Sequence, residues 1–401
     1  MEGMFETKSK KQTPLIIPSP VIKVVGLGGG GCNAVNRMIE YGLKGVTFVA
    51  CNTDKQALEQ SLADIKVQLG PYSTRGLGAG GNPSVGEKAA EESFHKLAEV
   101  LDGADMVFLT AGMGGGTGTG SIPVAARASK SIGALTIAVV TTPFSFEMGR
   151  RQKNAAIGLQ KLRQFTDTLI TVPNDRLLEV APHDLPLEMA FKLADDVLRQ
   201  GVSGISELLT ETGLINVDFS HIRRMMHLGG GALMSIGTGE GEDKAMKALK
   251  SALHHPLLDE IDLGSATGII ANFSGGEDLT FAEVTETMDH LHKEAGKDAE
   301  IIPGVVYDQN LVDRAQVILI VTGLGGLPIE QAIPGAEKYL AEIEAQIEPK
   351  PKTKPTEMHS RESSKEDHRF EPDAYAFSSS ESHLRTTDLD VPAFLRKRIK
   401  G

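Results

Sequence analysis

The sequence predicts an α/β fold: a parallel sheet with a glycine-lined ligand edge, a long central helix, and a second α/β block. Three observations carry this. Short β-branched runs alternate with helical periodicities through the first half, as strands and crossover helices of a parallel sheet do. Glycines cluster beside those runs, with 5, 6 and 6 of the chain's 44 falling in windows 26–31, 70–86 and 112–120. Leu187, Ala190, Phe191, Ala194, Val197, Leu198, Ile205, Leu208 and Leu209 then recur at three- and four-residue steps, one apolar face of a helix from about Asp184 to Thr210.

Taken in order, residues 1–20 hold a few Lys but no continuous apolar core, and read as a flexible lead-in rather than a signal peptide. Val21–Val25 is the first strand, ending abruptly in Gly26-Leu-Gly-Gly-Gly-Gly31. A helix over Ala34–Tyr41 and a strand at Val46–Cys51 follow. Gly70–Asn82 is a long glycine-rich loop, and Pro83 suits the first turn of a helix over 83–101. Met106–Thr110 is the next strand, leading through Gly112–Gly120 into another helix, and Leu135–Thr141 and Leu169–Val172 extend the sheet. Right-handed crossovers place these strand ends and their loops on one edge. Beyond the central helix and the loop Glu211–Ser220, strands at Ala232–Ile236, Gly268–Phe273, Glu300–Val306 and Gln316–Val321 alternate with helices near 242–254 and 280–295. The expected organisation is a lead-in over 1–20, a ligand-binding domain over 21–183, the central helix over 184–210 and a second domain over 211–345. A linker over 346–387 is rich in Pro, Ser and charge, and cannot bury enough apolar surface to offset its ordering entropy. The peptide 388–401 regains apolar side chains beside a basic cluster, the pattern of a short motif that folds on a partner.

Composition excludes several classes. With 40% hydrophobic and 23% charged residues among 401, the chain holds a sizeable core. Lys and Arg total 41 against 53 Asp and Glu, a formal net charge of −12, and no basic run offers a face for duplex nucleic acid. Aromatics at 5% and the absence of Trp argue against a base-stacking platform. No apolar run reaches the roughly 20 residues that span a bilayer. Cys32 and Cys51 make no disulfide framework, so a reducing cytoplasm is expected.

The glycine loops carry the chemistry. Gly26, Gly28 and Gly31 satisfy G-x-G-x-x-G between a strand and a helix, which alone leaves an NAD-dependent oxidoreductase open. Neither a Walker A loop nor an NKxD guanine-reading element occurs. Gly114-Gly-Gly-Thr-Gly-Thr-Gly120 offers consecutive backbone N–H groups at a helix N-terminus, a turn that wraps two or three phosphates. Thr117 and Thr119 supply hydroxyls for phosphate oxygens or for the water shell of a Mg²⁺. A dinucleotide needs one such loop; three on one edge suit a triphosphate.

These loops, with Asn52-Thr-Asp54, Gly78-Ala-Gly-Gly-Asn-Pro83, Thr142-Pro-Phe-Ser-Phe-Glu147, Val172-Pro-Asn-Asp175 and Asn216-Val-Asp-Phe219, resemble FtsZ, the family of bacterial tubulin-homologue division GTPases. The resemblance runs in order from Val21 to about Gly326 and reappears in Val391-Pro-Ala-Phe-Leu-Arg396. It implies a tubulin/FtsZ-like fold that binds GTP or GDP with Mg²⁺. The implied contacts are Gly29, Gly30, Gly31, Cys32 and Asn33 in the first loop and Gly116, Thr117 and Gly118 in the third. Cys32 stands where the family commonly has Gly. Glu147 and Arg151 match its ribose and phosphate contacts, Asn174 and Asp196 its base-reading positions, and Phe191 the ring that stacks on guanine. Asp218 matches the catalytic acid that enters the nucleotide site of the next subunit, a head-to-tail contact that does not close and so yields filaments. His221 stands where the family usually has a second carboxylate. It implies either a base that still takes the water's proton or a paralogue that co-assembles and hydrolyses slowly. The family's setting is a division ring at mid-cell beneath the inner membrane. There 388–401 would bind division proteins and membrane tethers, having too few apolar residues to insert stably alone.

Overall fold

The structure, a computed structural model, describes residues 20–339 apart from 148, 180, 183, 211–217, 228–230, 256–262, 297–298, 325–327, 334–335 and 337–338. The expected lead-in, most of the 211–220 loop, the linker and the C-terminal peptide lie outside the described residues.

Strands and helices alternate as the sequence predicts. The order is β1 (Ile22–Leu27), α1 (Gly28–Tyr41), β2 (Val46–Asn52), α2 (Lys55–Glu59), β3 (Ile65–Gln68), α3 (Pro83–Glu92), α4 (Phe94–Leu101), β4 (Met106–Gly112), α5 (Thr117–Ser131), β5 (Leu135–Thr142), α6 (Arg150–Arg163), β6 (Thr168–Pro173), α7 (Asn174–Glu179) and α8 (Leu187–Thr210). Then come α9 (Phe219–His227), β7 (Ala232–Glu240), α10 (Lys244–Leu253), β8 (Gly268–Gly275), α11 (Phe281–Glu294), β9 (Glu300–Tyr307), β10 (Arg314–Thr322) and α12 (Ile329–Ala332).

The first six strands form a parallel sheet in the order β3-β2-β1-β4-β5-β6. The second block does not make a sheet of its own. It continues the first as β7-β10-β8-β9, joined by a single parallel register pair, Ile170 with Ala232. There β10 runs antiparallel to β7 and β8, while β8 and β9 are parallel.

Three helices differ most from expectation. Helix α1 starts at Gly28 rather than Ala34, so most of the first glycine run forms its opening turns. The predicted 83–101 helix breaks at Ser93, whose backbone leaves helical geometry at φ −100° and ψ 11° and whose hydroxyl accepts the Gly70 N–H at 3.0 Å. That bond anchors the start of the glycine-rich loop. The central helix begins three residues late, at Leu187, because Pro186 stands immediately before it and disfavours helical backbone at the residue preceding it. The Pro186 carbonyl accepts the first N–H groups, from Met189 at 2.8 Å and Ala190 at 3.1 Å.

Helix α8 buries Ala194, Val197, Leu198, Val202, Ile205 and Leu208 in one core. The same core takes Val24, Phe108 and Ile137 from the first block and Ile270, Ile302 and Ile318 from the second. The opposite face of the first block packs on α3 to α6, and that of the second on α10 and α11. The central helix is therefore shared by both halves rather than lying on either.

Candidate nucleotide site

A cavity of about 380 Å³ opens beyond the C-terminal ends of β1, β4, β5 and β6. After β1 the chain runs to β2 and β3 on one side and returns to β4 on the other, so the cavity sits where strand order reverses. This is where open α/β sheets place ligands.

One end of the cavity is backbone. Helices α1 and α5 both start here, lined by Gly29, Gly30, Gly116, Thr117 and Gly118. Neither helix has a side-chain N-cap or an acidic residue in its first turn. Their first N–H groups and both positive dipole ends are thus left for an anion. The two loops are tightly seated on each other. Gly28 has φ +71°, and a Cβ there would stand 2.6 Å from the Gly118 nitrogen. A Cβ on Gly31 would collide with the Thr110 carbonyl oxygen.

Several expected contacts stand apart from the cavity. Gly31 is buried behind the wall, and Cys32 faces the core with its thiol directed to the carbonyls of Gly26 and Cys51, each at 3.7 Å. Burial pushes that thiol up to about 12, so Cys32 is a small core side chain that offers no side-chain group to the cavity. Thr119 is also withdrawn: its hydroxyl accepts the Gly114 N–H at 2.8 Å, which shapes the third loop from within. Thr117 remains on the wall, its hydroxyl 2.6 Å from that of Thr53. The second glycine loop does not line the cavity. It backs the third, close enough that a Cβ on Gly116 would lie 2.8 Å from the Asn82 nitrogen. Asn154 bridges the two by donating to the Gly81 carbonyl at 3.3 Å and the Gly114 carbonyl at 3.2 Å.

The other end carries side chains. Asn33, Glu147, Arg151, Asn174 and Phe191 all line the cavity, as expected. Glu147, just before α6, pairs with Arg151 in that helix's first turn, while its second oxygen accepts the Phe144 N–H at 3.1 Å. Asn174 is buried, and its Oδ1 has no protein partner. Phe191 presents a half-exposed ring held edge-on to Phe144, centroids 5.4 Å apart.

Asp196 is displaced from this set. Its carboxylate turns away and accepts from Arg199 Nε and Gln200 Nε2, both at 2.6 Å. The α8 carboxylate that lines the cavity is its neighbour Asp195. The reason is helical spacing: Asp195 lies four residues after Phe191 and shares its face, whereas Asp196 is turned a further 100°. Burial pushes Asp195 up to about 6 despite Arg37, whose Nε lies 3.3 Å from its Oδ2.

Asp218 and His221 are not in the cavity. Asp218 is exposed at the start of α9, and its carboxylate accepts the Ser220 N–H at 2.9 Å, which holds its pKa below the usual range. His221 is exposed on the first turn of the same helix. Among the described residues, no helix is long and apolar enough to cross a membrane.

A family model for the Tubulin/FtsZ GTPase domain matches residues 21–182, and one for the FtsZ C-terminal domain matches 230–325. An FtsZ dimer structure from M. jannaschii is 47% identical, with 77% of this chain and 90% of that one covered at a TM-score of 0.75. A substituted form of the same FtsZ gives 47% identity, coverage of 76% and 91%, and a TM-score of 0.74. CetZ2 from Haloferax volcanii, solved as a GTPγS-bound protofilament, shares the fold at 19% identity and a TM-score of 0.68, covering 81% of this chain and 99% of that one. The dehydrogenase reading of the first loop loses its support, and the chain belongs to the FtsZ family of tubulin-like GTPases.

Proposed function

We propose that this chain binds GTP in the cavity, assembles head to tail, and hydrolyses GTP only where Asp218 of one subunit meets the nucleotide of the next. The observation that carries this is the placement of carboxylates. The two that line the cavity, Glu147 and Asp195, are each engaged by an arginine, while ionised, exposed Asp218 lies outside it. A group able to orient the attacking water must then come from elsewhere. In this reading the uncapped ends of α1 and α5 hold the phosphates and Arg151 adds a forked donor. Asn174 and Asp195 read the base, and Phe191 stacks on it. Among the described residues no cluster of His, Cys, Asp or Glu could hold a metal alone. The hard hydroxyl oxygen of Thr117 fits a Mg²⁺ that arrives with the triphosphate and screens its charge. Residues 21–183 supply the cradle, α8 the base reader, and 211–345 the loop presented to the neighbour. Filaments of this kind would build a bacterial division ring, tethered through 388–401.

Phosphate release and GTP-dependent sedimentation, measured in one series of protein concentrations, test the reading. The rate per subunit should rise with concentration together with the pelleted fraction, and Asp218→Asn should pellet without releasing phosphate. A rate per subunit independent of concentration, or full turnover in Asp218→Asn, overturns it. His221 supports a second reading, a slowly hydrolysing member of the family, since it places an imidazole where a second carboxylate would help hold the water. Faster release in His221→Asp supports that reading; an unchanged or lower rate refutes it.

A further inference from the structure

We infer that Arg37 is the positioning residue for base selection, holding the Asp195 carboxylate at the base end of the cavity from the helix whose first turn cradles the phosphates. The inference rests on the cavity being a GTP site. Arg37 lies on α1, nine residues after the start of that helix at Gly28, and reaches across to α8. Its Nε meets Asp195 Oδ2 at 3.3 Å and its Nη1 donates to the Lys192 carbonyl at 3.4 Å, so one guanidinium grips both a side chain and the backbone a turn earlier. Both partners are largely withdrawn from water, with side chains 29% and 16% exposed. The grip is reinforced nearby by Arg199 stacked 3.9 Å from the Tyr41 ring centroid, again joining α1 to α8.

Chemistry gives the pair its purpose. An ionised carboxylate accepts from both N1–H and the 2-amino group of guanine; a protonated one offers a competing donor. Burial favours the protonated form. The charges facing Asp195 are Arg37 from α1 and Asp196 from its own helix, the latter opposing ionisation and itself engaged by Arg199. Across the cavity Glu147 and Arg151 are paired with each other. Arg37 is thus the cation placed to keep Asp195 charged and aimed.

The test measures equilibrium binding of GTP, ITP and ATP between pH 6 and 8.5 for the full chain and for Arg37→Gln, Arg37→Lys, Asp195→Asn and Arg37→Gln with Asp195→Asn. ITP lacks the 2-amino group, so the GTP-to-ITP ratio reports the carboxylate directly. Losing a cation at this range raises a carboxyl by about one to three units, so Arg37→Gln should bind GTP up to about tenfold more weakly at pH 7 than at pH 8.5. The wild type should change little over that interval. Arg37→Lys should recover the pH profile but not the full GTP-to-ITP ratio, since a point charge replaces a fork. In the Asp195→Asn background the Arg37 change should have no further effect on the ratio or the profile. An unchanged profile and ratio in Arg37→Gln, or an equal loss in both backgrounds, overturns the inference while leaving GTP binding standing. A wild type that binds ATP as well as GTP overturns both.

Discussion

Gly29 and Gly31 are two residues apart in one glycine run, yet their surroundings are opposite: Gly29 faces open space and Gly31 is packed against backbone. A Cβ on Gly31 would fall inside contact distance of the Thr110 carbonyl oxygen and 3.0 and 3.2 Å from the carbonyl carbon and Cα of Gly26. All three obstacles are backbone of the strands and loop that form the wall, so none swings aside as a side-chain end could. Overpacking of this kind costs about 1–3 kcal/mol. At about 2–4 °C for each kcal/mol, Gly31→Ala should lower the melting temperature by several degrees even without nucleotide. A Cβ on Gly29 would meet nothing within 4 Å, because it projects into the cavity. Gly29→Ala should therefore leave the melting temperature unchanged or slightly raised. It should weaken GTP by the worth of one charge-assisted hydrogen bond, about 1.5–3 kcal/mol, or roughly 10- to 150-fold. Thermal unfolding without ligand and titration with a fluorescent GTP analogue separate the two effects. Equal melting of Gly31→Ala and the wild type would refute the wall assignment, and unchanged affinity in Gly29→Ala would refute the cradle.

Thr119→Val removes the acceptor for the buried Gly114 N–H and should cost about 1–3 kcal/mol, visible as a lower melting temperature, with Thr119→Ser close to wild type; equal melting of all three would contradict the internal role. Asp195→Asn should weaken GTP and strengthen XTP, because an amide can donate to the 2-oxo group and still accept from N1–H; a preference left with GTP in competition binding would count against Asp195 as base reader. Since burial lifts Asp195 to about 6, the folded chain keeps a proton that the unfolded chain has released between about pH 4 and 6. This group's contribution to stability is therefore largest below that window and falls by up to about 3 kcal/mol as pH rises through it. Parallel melting curves for wild type and Asp195→Asn across pH 4–6 would exclude the effect.

Much of this architecture was legible in the chain. Runs such as Val46–Cys51 and Leu135–Thr141 are short, apolar and rich in β-branched residues, so they look like parallel strands and are; the second is buried throughout and the first from Phe48 onward. The six-glycine third loop points to the cavity wall, and Gly112, Gly115, Gly116 and Gly118 line it. Legibility fails where the cause is not local. Ser93 interrupts a helix because its hydroxyl is taken by Gly70, more than twenty residues earlier. The joining of β6 to β7 spans a central helix and leaves no pattern in either strand. The choice between Asp195 and Asp196 was within reach, since four-residue spacing from Phe191 selects the first, but two adjacent aspartates are indistinguishable by type. Arg37 could not have been assigned at all: its partner lies on a helix over a hundred and fifty residues away.

The two bare helix starts have a consequence for how variants fail. Amide groups and helix dipoles attract a chain of phosphates without regard to the base at its far end, so this half of the cavity confers grip but no discernment. In the proposed function, refusal of ATP would fall to Asp195, Asn174 and their supports. A lesion among them should leave a protein that is occupied yet promiscuous, loaded with whichever purine triphosphate is most abundant around it.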